Sequence, residues 1–134
     1  PRDGTLTSLQ QAHIKLLQGQ SFYAEVNLQD AINCFETAIR IGTEDSYIHE
    51  ALGNAYQDAG DYDRAIARYL LVLNRMANVM EPKKASNLHV ELAAAYEKKQ
   101  DFTRAIEHYF RAAQIDPSNL SAQRRASELS SQHL

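Results

Sequence analysis

The stretch GNAYQDAGDYDRAIARY, which begins at Gly53, places small and aromatic residues at regular offsets on both sides of a break. Tyr56 follows the first glycine by three residues, and Tyr69 follows Ala65 by four. Apolar residues that recur every three or four positions are typical of an α-helix with one buried face. The stretch therefore predicts two short helices that meet at Gly60.

The same pattern occurs three times along the chain, once 34 residues before this stretch and once 40 residues after it. The copies agree by residue type at seven positions: a small residue (Gly19, Gly53, Ala93), an aromatic one (Phe22, Tyr56, Tyr96), a large apolar one (Leu28, Tyr62, Phe102), alanine (Ala31, Ala65, Ala105), isoleucine (Ile32, Ile66, Ile106), a second aromatic one (Phe35, Tyr69, Tyr109) and a small or β-branched one (Ala38, Val72, Ala112). Internal repetition at a fixed spacing decides the architecture of a chain, so it outranks local propensity.

Each copy is interrupted near its middle, at Val26-Asn27, Gly60-Asp61 and Gln100-Asp101. A glycine adopts the left-handed conformation that ends a helix. Asparagine and aspartate at the following position accept a hydrogen bond from a backbone N–H of the next helix. We therefore expect each copy to be two antiparallel helices, with small residues where the backbones approach and aromatic residues in the remaining space.

The three copies resemble tetratricopeptide repeats, which carry small and aromatic residues at these offsets. On that register the repeats span 12–45, 46–79 and 86–119, and the first is the weakest match because Gln18 holds a position that is usually leucine. The resemblance implies an all-α fold: a right-handed superhelical solenoid of antiparallel helix pairs, about seven helices in a single domain spanning 1–134.

Two segments depart from the repeat. Six residues are added near 78–85, and we expect them to lengthen the helices on either side of a break at Glu81-Pro82, because proline disfavours helix in the residue before it. Residues 118–134 form no full repeat and predict a capping helix with Ser118 as its N-cap, which a solenoid needs for solubility. Its modest apolar stripe consists of Leu120, Ala122, Ala126 and Leu129. Residues 5–11 are expected to extend the first helix.

Composition excludes several classes of protein. The chain has 134 residues and a formal net charge of −3, so it lacks the basic balance of a nucleic-acid binder. No apolar run reaches the length of a membrane span. The single cysteine, Cys34, excludes an internal disulfide and fits a reducing, intracellular compartment, with cytoplasm and nucleus equally open.

The sequence shows little that points to chemistry. His49-Glu50 begins like a helical zinc motif, but Gly53 stands where the second histidine ligand belongs. His49 and His89 hold equivalent repeat positions, and packing explains them better than metal binding. Asp58, Asp61 and Asp63 alternate, but they lack the glycine and glutamate placement of a calcium loop. We therefore expect no catalytic residue, metal or cofactor, and no enzyme activity.

The resemblance implies a ligand groove lined by the first helix of each repeat. The groove positions of the family fall on residues that include Gln20, Tyr23, Tyr47, Glu50, Asn54, Asn87, Glu91, Lys98, Arg124 and Arg125. Carboxylates among these positions make the middle of the groove acidic, while the two arginines add positive charge at one end. We hypothesise a ligand segment with basic or neutral polar residues and an apolar anchor.

Some family members grip the C-terminal carboxylate of Hsp70 or Hsp90 with lysine, arginine and asparagine at five groove positions. This chain holds Leu16, Gln20, Ala51, Asn87 and Glu91 there. None of these five matches the family's clamp, and Glu91 would repel a carboxylate. The resemblance therefore argues against such a tail as the ligand.

Two functions remain open. The first is a protein-interaction module that binds a peptide segment or partner protein through the groove. The second is a structural segment of a longer solenoid in a multisubunit assembly, or a self-association module, which the apolar Met76, Val79 and Met80 favour.

Overall fold

The computed structural model describes residues 6–25, 27–42, 45–76 and 78–134. These residues form seven α-helices and no strand, which confirms the predicted all-α class. The helices are α1 (Ser8–Ala24), α2 (Leu28–Ile41), α3 (Ser46–Asp58), α4 (Tyr62–Met76), α5 (Pro82–Lys98), α6 (Phe102–Ile115) and α7 (Leu120–His133).

The chain divides into two compact units, Pro1–Asp61 and Tyr62–Leu134. In the first unit α2 packs against both α1 and α3. In the second unit α5 packs against α4 and α6, and α6 packs against α7. The predicted bounds of the three repeats and their assignment to one domain stay predictions.

The small and aromatic repeat positions form the cores. In the first unit Ala31, Phe35 and Ala38 on α2 are buried, as is Gly19 on α1. In the second unit one core cluster consists of Ala93, Ala105, Tyr109, Ala126 and Leu129. The interpretation of the repeat offsets as packing offsets is therefore confirmed at these positions.

The predicted breaks coincide with left-handed backbone where the structure describes them. Gly60 has φ +83°, and Gln100, at the equivalent place in the next copy, has φ +63°. Val26, at the first break, lies outside the described residues. Gln100 is the only non-glycine residue with positive φ in the described part of the chain.

The helix caps follow the prediction in part. Asp101 accepts a hydrogen bond from Arg104 N at 3.3 Å, as expected of an N-cap. Asn27 makes no such bond, and its side-chain amide donates to Asp30 instead. The prediction of Ser118 as a cap is wrong, because α7 begins one residue later.

Asn119 caps α7 and accepts from Ala122 N at 3.2 Å. Both the backbone N–H and the hydroxyl of Ser118 donate to Asp116, at 3.1 and 2.6 Å, which holds Ser118 in the preceding turn. Asn119 also donates to Ser86, a fully buried residue whose hydroxyl donates to the carbonyl oxygen of Ala112 at 2.8 Å. This short network joins α5, α6 and the start of α7, and it leaves none of these buried groups without a partner.

The residues added between the second and third copies mainly lengthen α5. Helix α5 has 17 residues against 13 in α3, whereas α4 has 15 against 14 in α2. As predicted, the break precedes Pro82, which opens α5. Both helices beside the break are longer than their counterparts in the preceding copy, α4 by one residue and α5 by four.

The last helix covers the core as a cap. Ala122, Ala126 and Leu129 are buried, while Leu120, which we expected in the same stripe, is 63% exposed. Leu120 is the first residue of α7, so it lies at the edge of the packed face. At the other end, residue 5 lies outside the described residues, Leu6 and Thr7 precede α1, and Thr7 caps the helix through a capping box with Gln10.

Candidate functional site: the faces of α1–α3 and α5–α7

In the first unit the structure brings together three predicted groove residues. The side-chain amide of Gln20 on α1 donates to the hydroxyl of Tyr47 on α3 at 3.4 Å. One turn further along α1, the hydroxyl of Tyr23 donates to a carboxylate oxygen of Asp58. We call the surface formed by Gln20, Tyr23, Tyr47, Glu50, Asn54 and Asp58 the α1–α3 face.

Helix α3 supplies four residues of this face at helical spacing. Tyr47, Glu50, Asn54 and Asp58 follow one another by three or four residues, which places them along one side of the helix. Tyr47 is 53% exposed, and Glu50 and Asn54 are partly exposed. The face therefore offers a tyrosine ring, an amide and two carboxylates at the surface.

In the second unit the predicted residue Arg125 binds within the protein. The guanidinium of Arg125 on α7 grips both carboxylate oxygens of Glu97 on α5, with its Nε 3.1 Å from one of them. A further nitrogen of Arg125 donates to Glu128 at 3.1 Å. Bidentate arginine–carboxylate pairs are among the stronger ion pairs of proteins. Arg125 therefore ties α7 to α5, and its predicted role toward a ligand stays a prediction.

Tyr109 on α6 completes this cluster by donating its hydroxyl to Glu97 at 3.0 Å. The hydrogen bond from Arg125 is the main cause that lowers the pKa of Glu97. Burial, together with the neighbouring carboxylate, raises the pKa of Tyr109. Glu97 therefore stays ionised and links three helices from a single carboxylate.

The remaining predicted residues of the second unit are exposed. Asn87, Glu91 and Lys98 lie on α5, and Arg124 lies on α7 beside Arg125. Spacings of four and seven residues place the three α5 side chains along one side of that helix. With the exposed edge of the Glu97–Arg125 pair, they make a surface of mixed charge that we call the α5–α7 face.

Sequence reasoning missed a pair of histidines in the second unit, of which His89 is buried and His108 is half-buried. Nδ1 of His89 on α5 lies 3.1 Å from Nδ1 of His108 on α6, and the ring of Tyr96 stacks on His108. Burial, and then the charge that His108 can carry, lower the pKa of His89 to about 4. Both rings are therefore neutral at pH 7, and one donates its Nδ1 proton to the other.

The expectation that His49 and His89 are packing residues is confirmed, since both are buried. The repeat pattern in the sequence does not predict the His89–His108 pair, because only the packing of α5 on α6 brings the two rings together. In the part of the chain that the structure describes, no group of three or more histidine, cysteine, aspartate or glutamate side chains could hold a metal ion. Cys34 is half-buried.

Comparison with known proteins identifies the family. A family model described as tetratricopeptide repeat matches residues 44–118, more than half of the chain. The chain belongs to the tetratricopeptide repeat family. No curated protein sequence matches it.

Solved tetratricopeptide repeat structures resemble the chain over most of its length. The N-terminal domain of stress-induced protein-1 from C. elegans has a TM-score of 0.80 at 12% identity, over 94% of this chain and 99% of that one. The first such domain of Spaghetti (RPAP3), bound to the HSP90 peptide SRMEEVD, has a TM-score of 0.77 at 16% identity over 92% and 94%. The second such domain of human RPAP3, in complex with the HSP70 peptide SGPTIEEVD, has a TM-score of 0.72 at 15% identity over 89% and 98%.

At such low identity these likenesses show the tetratricopeptide fold and nothing further. The family match spans residues 44–118, which include nearly all of the predicted second and third repeats and almost none of the predicted first. That first repeat is also the weakest by sequence, yet its small residue Gly19 and its aromatic Phe35 are buried as in a repeat. Among the described helices, none has both the length and the apolar composition needed to cross a membrane.

Proposed function

We propose that this chain is a protein-interaction module that binds a peptide segment of a partner protein on the faces formed by first helices of its repeats. The observation that carries the proposal is the α1–α3 face. There Tyr47 and Asp58 are held by hydrogen bonds from Gln20 and Tyr23, beside Glu50 and Asn54 on the same helix. Preorganised aromatic and amide groups of this kind bind extended or helical segments with little loss of side-chain entropy.

The ligands named for the similar structures support peptide binding as the class of function, since two of them hold short peptides. The residues of this chain do not fit those particular ligands. The α5–α7 face presents Asn87 and Glu91 where the family's carboxylate clamp carries cations. Arg125 is already bound to Glu97 and Glu128.

An affinity capture tests the proposal. The wild-type chain and the variant Tyr47→Ala/Asn54→Ala are used as baits in a cell lysate, and captured proteins are compared by quantitative mass spectrometry. The matched control is Phe110→Ala/Gln114→Ala, which removes another exposed aromatic and amide side chain, on the second helix α6.

We expect partners that the wild type and the control capture and that the Tyr47→Ala/Asn54→Ala variant loses. Partners lost only from the α6 variant would move the binding site to the second helices. Partners retained by both variants would exclude the α1–α3 face.

The alternative is that the chain is a structural segment of a longer solenoid or a self-association module. The observation that favours it is Val79, which is 71% exposed after α4, with Met76 and Met80 partly exposed beside it. Sedimentation equilibrium separates the two functions, because a self-association module increases in mass with concentration when no partner is present.

A further inference from the structure

An apolar row on α1 is left at the surface. Leu6, just before the helix, and Leu9, Ile14 and Leu17 on it are 48%, 74%, 39% and 51% exposed. Leu6, Leu9, Ile14, Gln10 and His13 line an open depression of about 610 Å³. Monomeric proteins seldom expose large apolar residues in contiguous groups, and such groups mark interaction sites.

The row runs into the α1–α3 face. Leu9, His13 and Leu17 are spaced by four residues, so they follow one side of the helix, and Gln20 comes one turn after Leu17. Gln20 contacts Tyr47, which is followed one turn later by Glu50 on α3. The result is one continuous surface within the first unit, apolar at the start of α1 and polar with carboxylates toward α3.

The charge of the first unit restricts what can bind this surface. Pro1–Asp61 contains nine acidic and three basic residues, whereas Tyr62–Leu134 contains eight acidic and eleven basic residues. A net excess of six negative charges in one small unit attracts cations and repels anions over distances of about one Debye length, roughly 8 Å at physiological salt. The occupant therefore carries positive charge beside its apolar side chains.

The same excess argues against pairing of α1 with α1 of a second copy. A symmetric contact places the same patch of both copies together, so two acidic units would face one another. Like charges placed together at an interface oppose association.

We propose that the first unit binds a basic amphipathic segment of another protein, with its apolar side chains on the Leu6–Leu17 row and its lysines or arginines toward Glu50 and Asp58. This inference rests on the proposed function and narrows it to a ligand class and to one unit. On α1 the row spans Leu9 to Leu17, eight residues or about 12 Å of helical rise, and Leu6 continues it beyond the start of the helix. A helical ligand matches it with apolar residues at positions i, i+4, i+7 and i+11.

Fluorescence anisotropy with three labelled synthetic peptides of about 18 residues, or five helical turns, tests the proposal. The first peptide carries leucines at positions i, i+4, i+7 and i+11, which form one stripe along the helix, and lysines at positions on either side of that stripe. The second has glutamate in place of every lysine, and the third has the composition of the first with its leucines spread around the helix. We expect the first to bind at least about tenfold more tightly than either of the others, a difference of about 1.4 kcal/mol.

Variants locate the binding. Leu9→Gln/Leu17→Gln is expected to weaken binding of the first peptide at least about fivefold, while Leu120→Gln, at a similarly exposed leucine on α7, leaves it unchanged. Glu50→Gln is expected to weaken binding about threefold and to flatten its salt dependence, with Glu81→Gln, exposed in the second unit, as the matched control. Circular dichroism verifies that each variant keeps the helical content of the wild type, which is expected because these side chains lie at or near the surface.

Three results would overturn the inference: equal affinity for the lysine and glutamate peptides, equal loss with Leu9→Gln/Leu17→Gln and Leu120→Gln, or a wild-type dimer that the Leu9→Gln/Leu17→Gln variant dissolves. The last would make a second copy the occupant. The outcome of the lysate experiment does not depend on these three results. A partner that the Tyr47→Ala/Asn54→Ala variant loses would still support the proposed function. A failure of the inference and a failure of the function are therefore distinguishable.

Discussion

Gly19 on α1 leaves no space for a side chain beside the ring of Phe35 on α2. A β-carbon on Gly19 would lie 2.5 Å from Cε1 and 2.6 Å from Cδ1 of that ring, closer than carbon atoms approach in folded proteins. Phe35 is 1% exposed, so its ring has little freedom to move away. The close approach of α1 and α2 therefore depends on glycine at this position.

Gly19→Ala is expected to destabilise the first unit by about 1 kcal/mol, because overpacking outweighs the gain in helix propensity. Urea unfolding measures the change, with Gln18→Ala, at the exposed neighbour, as the control. In a Phe35→Leu background the same substitution should cost less, since the smaller side chain leaves space for the methyl group. Equal costs in both backgrounds would contradict the contact as the cause.

The repeat pattern predicts that these two positions contact each other, but it does not predict how close the helices come. Small and aromatic types at fixed offsets identify which positions meet, because helical periodicity puts them on facing sides. These residue types do not set the distance between the two helices. In the third copy, alanine (Ala93) takes the place of Gly19 and packs in one core cluster with Tyr109, the equivalent of Phe35. Side-chain contacts between non-equivalent positions, such as Glu97 with Arg125, follow from tertiary packing and have no signal in the repeat.

The cap of α7 shows a second reason why sequence reasoning fell short. Ser118 and Asn119 are both good N-cap residues, so propensity alone does not place the helix start. Asp116 decides between them by accepting from Ser118, which leaves Asn119 to cap. Among the predicted groove residues, the pattern placed Gln20, Tyr23 and Tyr47 on the correct helices, but it gave no sign that Arg125 would be bound to Glu97.

Ala65→Glu is expected to unfold the chain broadly, because Ala65 on α4 has no exposed surface and a carboxylate there would be buried without a partner. Repeats gain stability from their neighbours, so the loss should extend beyond α4. Ala67→Glu introduces the same side chain at an exposed position two residues along the helix and serves as the control. A thermal melt of Ala65→Glu within a few degrees of the control would refute the expectation.

The two left-handed break residues predict opposite effects of substitution. Gln100 holds φ +63°, which costs a residue with a side chain about 1 kcal/mol, so Gln100→Gly is expected to stabilise the second unit by about 0.5–1 kcal/mol. Gly60→Ala is expected to destabilise by about 1 kcal/mol through the same strain, since no atom lies within 4 Å of the added β-carbon. Chemical denaturation measures both, and Gln100→Ala, which keeps the strain, should bring no comparable gain.

The His89–His108 pair predicts a loss of stability in mild acid. The pKa of His89 is about 4 in the folded chain against 6.5 for an ordinary histidine, so the unfolded state binds more protons between these values. Stability from the neutral pair is therefore present above pH 6.5 and is lost progressively as the pH falls from there toward 4. Arg111 also lowers the pKa of both histidines, whereas Glu107 raises that of His108.

Urea unfolding at pH 7 and pH 5 measures this dependence. The interval lies above the range in which Glu97 and Asp101, whose pKa values are lowered by Arg125 and Arg104, take up protons. His89→Leu should flatten the slope between the two pH values whatever its effect at pH 7. An unchanged slope in His89→Leu would assign the acid sensitivity to other groups.

The chain is expected not to bind SRMEEVD, the HSP90 peptide held by the similar Spaghetti (RPAP3) domain. The clamp positions of the family hold Asn87 and Glu91 on α5, and both are exposed where a carboxylate would arrive. A carboxylate-rich peptide gains no ion pair from an amide and is repelled by Glu91. Isothermal titration calorimetry should therefore give a Kd weaker than about 1 mM, a binding free energy smaller than about 4 kcal/mol. The double variant Asn87→Lys/Glu91→Arg supplies two of the five clamp side chains and removes the repelling carboxylate, so it should bind the peptide more tightly than the wild type. Micromolar binding by the wild type would show instead that other residues of the chain receive the carboxylates.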